Sequence, residues 1–253
     1  MLVNLVKSTD IGTNPIGINR MSKTWKTNIL EFNTSLTLNE NKLPNGVHVL
    51  NPFKGEFNER INTIASEFYT KYYNDNNERK LILGINPGRL GAGSTGIPFS
   101  DTKRLSEFCD IHIKEFSSHE PSSEFVYLLI EAFGGAEKFY SDFFISSVFP
   151  LGFTVDSQPG KTVNYNYYDT KALEKAVTPF IIESIERQLD FGVNRKKVFC
   201  LGTGKNAKFL KELNNQKKWF GEVVPLEHPR YVMQYKRKQL ELYLEKFISL
   251  LCL

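Results

Sequence analysis

Residues 81–101, LILGINPGRLGAGSTGIPFSD, hold two patterns that could do chemistry. Gly91-Ala92-Gly93-Ser94-Thr95-Gly96 spells G-x-G-x-x-G behind an apolar run. That spacing can seat a dinucleotide pyrophosphate on backbone N–H groups at the start of a helix. Asn86-Pro87-Gly88 stands just ahead of it. In the dinucleotide fingerprint the first glycine closely follows the strand and the third lies inside the opening helix. Here Asn86 to Leu90 intervene, and Pro98 follows Gly96 too closely for a helix to run through it. The fingerprint also asks for an acidic residue ending a second strand, whereas Asp110 falls in a helical pattern. A phosphate loop ending in G-K-[ST] is absent. Cys109, Cys200 and Cys252 lie far apart with no C-x-x-C pair and are too few for a four-Cys iron–sulfur cluster, which suits free buried thiols in a reducing cytosol. No metal and no cofactor is expected.

The elements that must position these residues follow from periodicity. The chain has 253 residues, 41% apolar and 24% charged, enough for one large α/β domain with a covered core. A net charge of +4 permits a nucleic-acid partner without implying one. The first residues lack the apolar stretch of a signal peptide, and no window approaches the ~20 apolar residues of a membrane span. A cytoplasmic protein is therefore expected.

Residues 1–55 read as an N-terminal arm packed on a main domain over 56–253. Within the arm, 24–36 suits a short helix, and Asn45-Gly46 a turn into extended chain. Phe57, Ile61, Ile64, Ala65, Phe68 and Tyr72 predict a helix over 56–73. Strands are expected at 80–85, 142–149, 197–202 and 221–226. Helices are expected at 102–116, at 122–140 with a break at Gly134-Gly135, at 204–215 and at 235–251. Another is expected to begin at Thr178-Pro179 and to bury Ile181, Ile182, Ile185 and Leu189. Residues 154–169 read as a polar, aromatic loop. The alternation predicts a three-layer α/β/α fold around a four-stranded parallel sheet. Sites in such sheets form at the carboxyl ends of strands. Basic residues follow those ends: Arg89, Lys103, Arg104, Lys161, Lys205, Arg230, Lys236 and Arg237. They could track a phosphate backbone.

GINPGRLGAGSTGIPF resembles the first motif of the uracil-DNA glycosylase superfamily, nearest its single-strand-selective monofunctional branch. That motif runs G-M-N-P-G and later T-G-V-P-F, in register with Gly84 to Gly88 and Thr95 to Phe99. FISSVFPLGF (144–153) resembles the family's F-V-H-N-Y-C-P-L strand, and PGK (159–161) its S-G-K-N loop. VFCLGTGKNA (198–207) resembles its third strand, and His228-Pro229 stands where H-P-S-P would be. The resemblance covers about residues 80–250 and looks closest to a bacterial offshoot of the branch, long catalogued as a domain of unknown function.

The resemblance implies a monofunctional hydrolase that cleaves the bond between a damaged base and deoxyribose during base excision repair. Its partner would be DNA containing deaminated bases, flipped out of the stack, and it would act as a monomer without metal or membrane. Asn86 would orient a water through its amide oxygen, and His228 would donate a hydrogen bond to the departing base. Phe99 would stack on that base, with backbone N–H groups near Ile85 and Gly88 facing base or sugar. Arg89, Lys161, Lys205 and Lys236 would contact DNA, and Arg230 or Tyr231 would fill the vacated stack. An amide cannot take a proton as a carboxylate does, so leaving-group stabilisation should dominate.

Two departures matter. Ser147 stands where the family has an Asn that reads the pyrimidine edge. One hydroxyl cannot make that two-point contact. Weaker uracil selectivity and room for a deaminated purine such as xanthine are expected. After His228 the chain runs Pro-Arg-Tyr rather than the family's S-P-R-N, which leaves the stack-filling residue and the strand preference open. Two rivals also remain at this point: a NAD(P)- or flavin-binding oxidoreductase, and a nucleic-acid-binding module without catalysis on the same fold.

Overall fold

In a computed structural model describing residues 23–158 and 160–252, the apolar periodicities become packed elements. The first 22 residues of the expected arm, and Pro159 of the PGK segment, lie outside the described residues. Helix α1 (Trp25–Ser35) is capped by the Thr24 hydroxyl, which accepts the Thr27 N–H, and it buries Trp25, Ile29 and Phe32. The Asn45-Gly46 turn, with Gly46 at φ +79°, leads into β1 (Val47–Leu50). Helix α2 (Asn58–Tyr73) buries Ile61, Ile64, Ala65, Phe68 and Tyr72 on one stripe. Then come β2 (Arg79–Gly84), the single turn α3 (Ala92–Thr95) and α4 (Thr102–Cys109). Helices α5 (Pro121–Phe133) and α6 (Ala136–Asp142) are split by Gly134 and Gly135, both at positive φ, and β3 (Phe143–Ser147) comes next. The second half holds β4 (Gly152–Gln158), β5 (Lys161–Tyr165), α7 (Lys171–Leu189), β6 (Val193–Leu201) and α8 (Lys205–Lys217). It closes with β7 (Glu222–Leu226), α9 (Pro229–Tyr235) and α10 (Leu240–Leu251).

The four expected strands form one parallel sheet in the order β3-β2-β6-β7. Its register pairs Gly84 with Ser147, Leu83 with Cys200, and Leu201 with Leu226. The carboxyl ends of these strands therefore lie along one edge. Helices cover both faces, α7 and α8 against β6 and α6 against β2 and β3, giving three α/β/α layers. The interior strands read as continuous apolar runs because neither face meets water.

Several expectations are corrected. Residues 154–169 are not a loop: β4 and β5 pair as a hairpin, and β1 adds to β4 to make a second, antiparallel sheet. Alternation of Thr and Val with polar residues hid these half-exposed strands. Thr178-Pro179 does not start a helix. The cap is Thr170, and α7 runs through Pro179. Leu173, Val177, Ile181, Ile185 and Leu189, spaced by four and all buried, form one stripe. Burying them outweighs the roughly 3 kcal/mol cost of an interior proline. The helix expected at 102–116 stops at Cys109, where Asp110 takes a left-handed conformation at φ 55° and bonds back to the Leu105 carbonyl. The closing helix expected from residue 235 is α10 and starts only at Leu240, after a short turn at Arg237–Gln239, and a separate helix, α9, opens before it at His228-Pro229.

One buried charge sets the entry of β2. Arg79 is 1% exposed. Its guanidinium grips both Asp75 oxygens at 2.7 and 2.8 Å, donates to the Tyr140 and Tyr72 carbonyls, and lies over the Trp25 and Tyr73 rings. These hydrogen bonds hold the Asp75 carboxyl below its ordinary value. The strand fixed this way carries Asn86 just beyond its other end.

Candidate active site

Strand β2 ends at Gly84, and the chain beyond it is arranged by close packing. A Cβ on Gly84 would stand 2.9 Å from Cε2 of Phe99, so only glycine lets that ring lie over the strand end. Phe99 itself has φ 52°, an unfavourable region for an aromatic residue. The turn before it is held by buried Thr95, whose hydroxyl donates to the Ser100 carbonyl at 2.6 Å and accepts the Ile97 N–H at 3.3 Å. The Phe99 ring lies 6.0 Å from the His228 ring, centroid to centroid. Residues some 130 positions apart in the chain thus meet above Gly84.

The glycines of the G-x-G-x-x-G run do not cradle a helix start after the strand. The N–H groups of Gly91 and Gly93 turn back onto the Gly88 carbonyl, at 3.2 and 2.9 Å. Gly96, at φ +73°, caps the one-turn α3. The run is a folded bridge from Asn86 to Phe99.

Asn86 is half-buried and held at both ends of its amide. Nδ2 donates to the Tyr165 carbonyl at 3.2 Å, and Oδ1 accepts the Tyr167 N–H at 3.3 Å. Nearby, the Asn164 side chain accepts the Arg89 N–H at 3.1 Å. The end of β5 and the segment before α7 therefore clamp the Asn86 loop. An amide oxygen has two acceptor positions, so one remains on Oδ1 for a water.

His228 caps α9 by accepting the Arg230 N–H on Nδ1 at 3.2 Å. Burial, followed by the positive charge of Arg230, pushes its pKa down to about 4. The ring is neutral at physiological pH, and with Nδ1 accepting, its proton must sit on Nε2. It is a fixed, uncharged hydrogen-bond donor.

A hollow of about 500 Å³ opens between the ends of β2, β6 and β7, lined by Ile85, Gly202, Thr203, Lys205, His228 and Tyr231 among others. The fold thus brings Ile85, Lys205, His228 and Tyr231 to one hollow. Phe99 lies beside His228 and Asn86 follows Ile85, but neither is part of the lining. Ser147 is 7% exposed and lines a separate hollow of about 30 Å³ with Pro87, Gly96, Pro98 and Ser146. Gly88 sits between Asn164 and Glu120. Arg89 and Arg230 are exposed and Lys236 is half-exposed. Lys161 is exposed at the turn of the β4–β5 hairpin, away from the hollow's lining. Tyr231 is 42% exposed, 5.6 Å from the ring of Tyr235.

The sequence reading missed the clamp at Tyr165 and Tyr167, although their aromatic run was visible. It also missed Asn206, which is buried and accepts the Tyr167 hydroxyl at 2.7 Å while donating to the Leu201 carbonyl. Among the described residues, no group of three or more His, Cys, Asp and Glu side chains is placed to hold a metal ion. No described helix is long and apolar enough to cross a membrane.

Comparison with known proteins bears on the family and the fold. The family model described as Uracil DNA glycosylase superfamily matches residues 70–252. The crystal structure of wild-type SMUG2 from Pedobacter heparinus superposes with a TM-score of 0.87 at 53% identity, covering 90% of this chain and 97% of that one. No curated protein matches the chain.

Proposed function

The chain belongs to the uracil-DNA glycosylase superfamily, and from that premise we propose that Asn86 and His228 carry its hydrolysis of the N-glycosidic bond in DNA, with deaminated bases as substrates. In this reading Asn86 Oδ1 holds a water for attack on the sugar carbon. The departing base gains negative charge, and the Nε2–H of His228 meets it. A neutral donor fixed in place loses little to reorganisation, which makes it effective against charge that develops only in the transition state. Phe99 stacks on the extruded base, and backbone N–H groups at Ile85 and Gly88 face base or sugar. Ser147 would offer the base edge one hydroxyl in place of a two-point amide contact, which is why both uracil and xanthine are proposed as substrates.

Arg89, Lys161, Lys205, Arg230 and Lys236 would meet phosphates, and the exposed Tyr231 would fill the gap left by the flipped nucleotide. The protein would act as a monomer, with residues 1–55 an arm of the 56–253 domain. The observation that carries the reading is the hydrogen bond from the Arg230 N–H to His228 Nδ1, because it dictates which nitrogen bears the proton.

The test is excision from oligonucleotides bearing one uracil, xanthine or hypoxanthine, incubated with chelator present and then treated with alkali. Strand scission at the lesion is expected for uracil and xanthine. No scission on any of the three, with DNA still bound, would favour the non-catalytic binding module.

A further inference from the structure

Glu120 is a carboxylate at the active-site rim that the reaction above leaves unused. It precedes α5, and its carboxyl lies against the loop that carries Asn86. A methyl on Gly91 would overlap Glu120 Oε2, and a Cβ on Gly88 would stand 3.4 Å from Glu120 Oε1. Two glycines of the motif therefore make the space this side chain occupies. On its own helix, Ser123 donates to Oε2 at 3.3 Å.

The charges around Glu120 come from three other elements. Asp101, at the cap of α4, accepts the Glu120 N–H at 2.8 Å and is itself within 3.5 Å of Arg104 and of His119 Nδ1. From β5, the neutral amide of Asn164 approaches the same glycine. Arg230 opens α9, which packs on α5, and is the positive charge acting on the carboxyl. Further along α5, Glu124 is already taken up by Arg104 and Arg237. Glu120 thus packs against the loop after β2, and the charge of Arg230, the residue two beyond His228, acts on it from the helix packed on α5.

We propose that Glu120 is a positioning residue that braces the Asn86–Gly91 loop and competes with DNA phosphate for Arg230, so that engaging DNA takes up one proton at this carboxyl. This rests on the DNA-binding reading of the site. When the carboxyl is ionised, it attracts Arg230 and repels an incoming phosphate. When it is protonated, Arg230 is released to the phosphate and the repulsion is gone. Burial is the chief cause, and the Asp101 charge a lesser one, that raises its pKa from 4.5 to about 7, with Ser123 and Arg230 opposing. A nearby phosphate raises the pKa further, so binding takes up a proton and affinity falls as pH rises through about 7.

The experiment measures binding of the intact protein to a labelled oligonucleotide carrying a tetrahydrofuran abasic analogue, which cannot be hydrolysed, from pH 6 to 8.5 at constant ionic strength. The wild-type protein should lose about three- to tenfold in affinity across that range, within the limit of tenfold per pH unit for one proton. Glu120→Gln keeps the shape and should flatten the profile. If Glu120→Gln retains the wild-type loss, the inference is overturned. Should that variant fail to fold, Arg230→Gln serves. Losing the positive charge should move the midpoint of the wild-type profile upward, and an unmoved midpoint overturns the inference. Absence of binding at every pH would overturn the DNA-binding reading itself, whereas binding with an unchanged slope overturns only the role of Glu120.

Discussion

The amide oxygen of Asn86 accepts the backbone N–H of Tyr167 at 3.3 Å, while its nitrogen donates to the Tyr165 carbonyl at 3.2 Å. The side chain is thereby read as an amide, with a donor at one end and an acceptor at the other. Asn86→Asp would turn a carboxylate oxygen onto the Tyr165 carbonyl, two acceptors facing each other. We expect this variant to lose excision activity by about 100-fold near pH 7, despite gaining a potential base. Single-turnover rates check this, and activity at or above wild type would show that the clamp does not govern the amide.

His228 has its pKa lowered from 6.5 to about 4, so between those values the unfolded chain binds a proton that the native protein does not. Its contribution to stability therefore rises with pH across that window and is lost on acidification. The wild-type melting temperature should fall from pH 6.5 to pH 4 more steeply than that of His228→Gln. Excision by the wild-type protein should show no histidine limb near pH 6.5, because the ring is already neutral there. A limb centred near 6.5 that vanishes in His228→Gln would contradict a neutral donor.

Ser147 pairs with Gly84 in the sheet, and the proposed function has it offer the base one hydroxyl. Ser147→Asn should shift the ratio of uracil to xanthine excision toward uracil by about tenfold. Competition between the two lesions in one reaction measures this, and an unchanged ratio would remove Ser147 from base selection.

Far from the chemistry, Asp75→Asn should cost about 2 kcal/mol at pH 7, because Arg79 would keep its buried charge without its carboxylate. The native carboxyl titrates below its unfolded value, so its stabilising effect is present above about pH 4 and disappears as pH falls through the native pKa. Urea denaturation at pH 7 and pH 3 should show the gap between variant and wild type closing at the lower pH.

The sheet was legible because its strands are short apolar runs between turn signals, and buried strands cannot read otherwise. Asn86, Phe99 and His228 were singled out by the resemblance of their motifs to the family's, and the structure brings Phe99 beside His228 while leaving Asn86 out of the hollow's lining. The β4–β5 hairpin was not, since alternating half-exposed residues with Gly and Pro look like loop until their partner strand is known. Pro179 misled for a related reason: local propensity favours a helix start there, and only the burial of Leu173 and Val177 carries the helix through. Glu120 had no local signal, because its setting is made by glycines about thirty residues earlier and an arginine on α9. Asn86's clamp likewise depends on Tyr165 and Tyr167, which reach it only through the hairpin.

The central claim is that Asn86 and His228 serve one reacting nucleotide. Single-turnover excision of uracil from a single-lesion oligonucleotide, at saturating protein, by wild type, Asn86→Ala, His228→Ala and the double variant tests it most directly. Each single change should slow excision by about 100-fold or more with DNA binding retained, and the double variant should fall well short of the product of the two. Wild-type rates in either single variant would contradict the account.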